Sequence, residues 1–160
     1  MGLNELIEIE KGKRLRRSFF ELERQMYVIG IDPGTLTGFA LYDKEAKTLT
    51  AVMTVKVHEA FELVRRMKAD GFKIHVRVED ARKRKWYGPG SNAKQQGAGA
   101  IKIQCKQWEE FLKSEGISFD LVSPAQIKTK VDARKFKMIT GWTARTSNHG
   151  RDAAMMVYGL

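Results

Sequence analysis

The sequence predicts an α/β fold whose centre is a five-stranded mixed sheet, a three-stranded antiparallel meander plus two parallel strands, flanked by helices. Three observations carry this. The runs MYVIGID, TGFALYDK and TLTAVMTV read as strands and succeed one another at hairpin spacing. Two further strand-like runs, FKIHVRVED and FDLVSPA, are separated by a long stretch of helical periodicity. Helical patterns also precede the fourth strand and close the chain.

In chain order, residues 1–25 differ in character from the remainder of the chain and are expected to be an extension: an arm, an interface element or a cloning remnant. The strand signal that opens at Met26 marks the expected start of the domain proper, residues 26–160. After the meander, EAFELVRRMKADG places Phe61, Val64 and Met67 at helical spacing and closes on Gly71, a helix terminator. In FKIHVRVED, Ile74, Val76 and Val78 share one face while His75, Arg77 and Glu79 share the other. Residues 92–114 read as a long helix with Ile101, Cys105, Trp108 and Phe111 or Leu112 on one stripe, ended by Gly116. Pro124 halts the fifth strand, a short segment comes next near residues 125–130, and a terminal helix starts at His149 with Ser147 or Asn148 available as its cap. Residues 82–90 and 128–137, which are rich in Lys and Arg, lack periodicity and read as loops.

With 160 residues, 42% of them hydrophobic, the chain can bury a core without disulfides or a structural metal. No apolar run approaches the ~20 residues that span a bilayer, and the first 25 residues place acids early and bases late, the wrong order for an export signal. The single cysteine, Cys105, permits no intrachain disulfide and reads as a small helix residue, so an intracellular, cytoplasmic setting is expected. The 29 Lys and Arg against 19 Asp and Glu give a formal charge of +10, which favours a polyanionic partner.

The acids stand where chemistry would need them. Asp32 ends the first strand, and Pro33 and Gly34 turn the chain at once, so the carboxylate is held at the sheet edge; a turn-capping role is the alternative. Glu79 ends the fourth strand in the same way, whereas Asp80 points to the other side and reads as structural or capping. His149 and Asp152 lie three residues apart, on one face of a helix's first turn, although a lone His there is often a cap or a surface residue. Carboxylates that converge from two strands and a helix repel unless a cation neutralises them. Oxygen donors without cysteine point to Mg²⁺ or Mn²⁺, expected as two ions per site bound by Asp32, Glu79, His149 and Asp152. Two such ions hydrolyse phosphodiesters, one activating water and the other stabilising the leaving oxygen.

IGIDPGTLTGFAL, VRVED, GSNAKQQGAGAIK, SPAQIKTKV and SNHGRDAAMMV together resemble the RuvC family of Holliday junction resolvases across residues 26–160. The resemblance implies a ribonuclease H-like fold and a structure-selective endonuclease that resolves four-way DNA junctions as a homodimer by nicking opposing strands symmetrically. It implies Asp32, Glu79 and Asp152 as metal-bridging carboxylates, with His149 as a further ligand or as the base; many members carry an acid at that position. It also places residues 93–114 at the dimer interface, with core as the alternative fate of Trp108. Trp86 or Tyr87 would stack on an unpaired base while Arg82, Lys83, Arg84 and Lys85 meet phosphates; Lys128, Lys130, Lys135, Lys137, Arg145 and Arg151 suit phosphate contacts nearer the metals. A short stretch between Lys137 and His149, together with the leader, suggests a compact variant of phage or mobile-element type. Rival readings are a YqgF-type nuclease acting on ribosomal RNA precursors, a junction-binding module without catalysis, and a sugar-kinase-like ATPase, for whose second domain 160 residues leave no room.

Overall fold

The computed structural model describes residues 3–15, 26–83, 92–127 and 130–160, with only the backbone described at the outermost residues of some of these spans. Five strands form one sheet: β1 (Tyr27–Asp32), β2 (Leu36–Asp43), β3 (Thr48–Lys56), β4 (Ile74–Glu79) and β5 (Ser118–Val122). Their spatial order is β3-β2-β1-β4-β5. β1 pairs antiparallel with β2 and β2 with β3, whereas β4 runs parallel to both β1 and β5. The mixed sheet is therefore the expected one. Its parallel half needs crossover helices, supplied by α2 (Val57–Ala69) between β3 and β4 and by α3 (Asn92–Ser114) between β4 and β5. α1 (Leu3–Leu15), α4 (Ala133–Thr140) and α5 (Asn148–Met155) complete the fold.

The period-2 alternation of the strands divides the core between two faces. On one, Tyr27, Ile29 and Ile31 of β1 pack with Phe39, Leu41, Val76 and Val78 against Leu63, Val64 and Met67 of α2 and Trp108 and Leu112 of α3. Trp108 is fully buried there, stacked near Phe61 and Phe111, so its place is in the core of the chain. On the other face, Val28, Ala40, Tyr42 and Val52 meet Phe136 of α4 and Ala153 and Ala154 of α5. Gly71 and Gly116 end α2 and α3 with φ of 77° and 61°, the left-handed conformation that favours glycine.

One expectation changes. Residues 128–137 read as a loop in the sequence, but from Ala133 the chain is helical: Asp132 caps α4 by accepting from the Lys135 amide at 2.8 Å, and Gly141 closes it at φ 72°. The lysines and arginine leave only Phe136 buried, too narrow a stripe to stand out as periodicity. α1 packs on the sheet. Leu6 and Ile7 join the first core cluster, and buried Glu10 accepts a hydrogen bond from the Tyr27 hydroxyl at 2.5 Å.

Candidate active site

β1 and β4 run side by side in register, with Ile31 opposite Val78, so the next residues, Asp32 and Glu79, end adjacent parallel strands on the same face. That is the face on which α5 lies. Ser147 caps α5 by accepting from the Gly150 amide at 2.9 Å, and its hydroxyl also hydrogen-bonds that of Thr54 on β3, which ties the helix start to the sheet. His149 and Asp152 then project from the first turn over the ends of β1 and β4.

Glycines set how closely α5 can approach. A Cβ at Gly38 would overlap the His149 carbonyl oxygen and come within 3.1 Å of the Asp32 Cβ, and one at Gly30 would overlap the Ala153 carbonyl oxygen. The helix backbone therefore rests directly on β1 and β2, and this contact brings His149 to Asp32. Sequence reading passed over both glycines. The available signal was their period: Gly30 and Asp32 on β1, and Gly38 and Ala40 on β2, occupy alternate positions of the face that α5 covers.

His149 Nδ1 lies 2.8 Å from Asp32 Oδ2, with Asp32 largely buried and His149 half exposed. Burial pushes the Asp32 carboxyl above its ordinary range, an effect opposed by the hydrogen bond from His149. Glu79 is pushed up to about 7, first by burial and then by the negative charges of Asp32 and Asp152, with Lys130 opposing. Asp152 is mostly buried and has Lys130 Nζ 3.9 Å away. From the opposite side, the Cys105 thiol donates to the Glu79 carbonyl oxygen at 3.4 Å, which fixes the strand end against α3.

Three acids and an imidazole thus share one neighbourhood, and the acids repel one another there. Among the described residues, however, no three His, Cys, Asp or Glu side chains are gathered closely enough to hold an ion as they stand. The donor chemistry of these side chains suits a hard divalent cation.

A solved structure, T. thermophilus RuvC in complex with a Holliday junction substrate, matches this chain at 18% identity with a TM-score of 0.53, covering 83% of this chain and 90% of that one. The fold is ribonuclease H-like. No protein-family profile and no curated protein matches the sequence. Asp32, Glu79, His149 and Asp152 lie near one another at the carboxyl ends of β1 and β4 and the start of α5.

The expected DNA contacts fall into three groups. Arg84, Lys85, Trp86, Tyr87 and Lys128 lie outside the described residues. Lys83, Lys130, Lys135, Lys137 and Arg145 are exposed, although Lys83 Nζ also donates to the Leu121 carbonyl at 2.6 Å. Arg82 and Arg151 are engaged within the protein. Arg82 is paired with Asp80 at 2.7 Å and Glu109 at 2.6 Å. Asp80 is buried, and Arg82 is the cation that makes its burial tolerable, as its structural reading anticipated. Arg151 is buried, and its guanidinium donates only to groups of the protein, so it does not present itself to a phosphate. Two of its acceptors are the Val131 and Thr146 backbone carbonyls, which no sequence pattern marks. No helix among the described residues is long and apolar enough to cross a membrane.

Proposed function

We propose that this chain is a divalent-metal-dependent endonuclease that cuts branched DNA, resolving four-way junctions as a homodimer that nicks opposing strands. The observation that carries the reading is the convergence of Asp32 and Glu79, on adjacent parallel strand ends, with His149 and Asp152 from one helix turn. The site sits in a chain with a formal charge of +10, which supports a polyanionic substrate. Asp32, Glu79 and Asp152 would hold Mg²⁺ or Mn²⁺; when bound, such ions supply Lewis acidity toward the oxygens of a phosphodiester.

The chain's own groups do the rest. His149 is held by Asp32 through Nδ1, so Nε2 is the ring atom left to take a proton from an attacking water. Gly38 and Gly30 hold that imidazole over the strand ends by admitting the helix backbone. Lys135, Lys137 and Arg145 are exposed and suit phosphate contacts that set the strand's path, while Trp86 or Tyr87 would stack on a base at the branch point.

Labelled four-way junctions, duplex, single strands and structured RNA incubated with Mg²⁺ or Mn²⁺ test the proposal. The expected outcome is paired symmetric nicks in the junction and little cutting of duplex. Preferential cutting of structured RNA would favour the ribosomal-precursor reading, and tight junction binding with no nick in either metal would leave a binding module.

A further inference from the structure

Arg151 sits in the first turn of α5 yet points into the protein, and it is 7% exposed. Its Nε donates to the Val131 carbonyl at 3.0 Å. Nη1 donates to the Thr146 carbonyl at 3.0 Å and to the Thr146 hydroxyl at 3.1 Å, and Nη2 donates to the Asn148 amide oxygen. These acceptors belong to two segments far apart in sequence. Thr146 and Asn148 flank the cap of α5 and precede His149, whereas Val131 lies between Lys130, beside Asp152, and Asp132, the cap of α4.

All four acceptors are neutral. A buried guanidinium without a paired carboxylate is costly, so stability alone is weak grounds for placing one here. Its five donors in a planar fork do something an apolar residue cannot: they fix three chain positions at fixed angles to one another. The seam so closed carries a notch of about 270 Å³ lined by Lys130, Val131, Asp132, Asn148, Arg151 and Asp152. The cation beside Asp152 and the helix turn bearing His149 and Asp152 are thus registered to each other through one side chain.

We infer that Arg151 is a positioning residue, a clamp that sets His149 and Asp152 against the Lys130 segment, and not a substrate contact. The inference rests on the nuclease reading for its kinetic consequence but not for its geometric one. Arg151→Lys keeps the charge and loses the fork; Arg151→Met keeps the bulk and loses both.

The expected kinetic result, measured well below each variant's melting temperature, is that both lower kcat by about 10- to 100-fold with KM for a junction unchanged within about 2-fold, the scale of loss when a group orienting a site is removed. Full activity in Arg151→Lys with a raised KM in Arg151→Met would make Arg151 a phosphate contact and overturn the clamp. Unchanged kcat in both would make it a stability residue only. The second readout needs no activity. In the metal-free proteins, the nitrogen resonances of the His149 ring report its bond to Asp32, and both variants are expected to shift them away from wild type. Unshifted resonances overturn the clamp even if no substrate is ever cut, whereas shifted resonances in a protein that cuts nothing would sink the nuclease reading alone.

Discussion

Glu79 is where the field of the site can be measured without a substrate. Its folded carboxyl titrates at about 7 against an ordinary value of 4.5, so between those values the native state holds a proton that the unfolded chain has released. Its contribution to stability is therefore present below pH 4.5, falls as pH rises, and settles as a penalty above pH 7. Residual solvent around the carboxyl holds that penalty to roughly 1–2 kcal/mol. In chelator, Glu79→Gln is expected to melt about 3–6 °C above wild type at pH 8 and to flatten the loss between pH 5 and pH 8. Parallel melting curves would show that the acids do not strain one another. Asp32→Asn keeps the shape of its neighbour to Gly38 while removing charge, so junction binding should persist within about 2-fold as cutting falls by at least about 10²- to 10³-fold. Retained cutting would mean that another acid is essential. Both carboxylates were legible in the sequence because a strand that stops on an acid before a turn leaves few places for the side chain to go. The fate of Arg151 was not, because the Val131 and Thr146 carbonyls that hold it carry no signature in side-chain identity.

Between residues and fold, the seating of α5 on β1 and β2 decides whether the site exists. Gly38→Ala forces a methyl group into the His149 carbonyl, and since both partners are backbone, neither can rotate away. The expected cost is about 1–3 kcal/mol, with near-complete loss of cutting in the fraction that remains folded. Gly99→Ala is the matched control. It lies on α3 with nothing among the described residues within 4 Å of the added Cβ, so the same change should stabilise by about 0.5–1 kcal/mol. Equal effects at the two positions would remove close packing as the explanation. α3 itself was readable to the residue from its stripe and Gly116, because a long helix repeats its pattern often enough to be unambiguous. α4 was not: in eight residues it shows one buried side chain, and its Asp132 and Gly141 caps are the stronger signal.

At the scale of the whole molecule, charge and core make separate claims. If Lys135, Lys137 and Arg145 each meet a phosphate, log affinity against log salt should fall with a slope of about −3; a slope near zero would remove the electrostatic grip. The core claim concerns α1, whose Leu6 and Ile7 belong to the first core cluster although the composition changes at Met26. Leu6 and Ile7 are 1% and 2% exposed, and the Tyr27 hydroxyl is satisfied by Glu10 across the supposed boundary. Burying two such side chains is worth at most ~3–6 kcal/mol, and ordering the helix offsets part of it, which leaves about 2–4 kcal/mol. Deleting residues 1–25 should therefore lower the melting temperature by about 5–15 °C. α1 packs on the sheet face opposite the one that carries Asp32 and Glu79, so the truncated protein, assayed well below its new midpoint, should still cut with its original metal requirement. An unchanged melting temperature would return the segment to the status of an appendage. Lost cutting in a folded truncation would instead mean that the leader reaches the substrate or the second protomer, a role that its packing against Tyr27 does not predict.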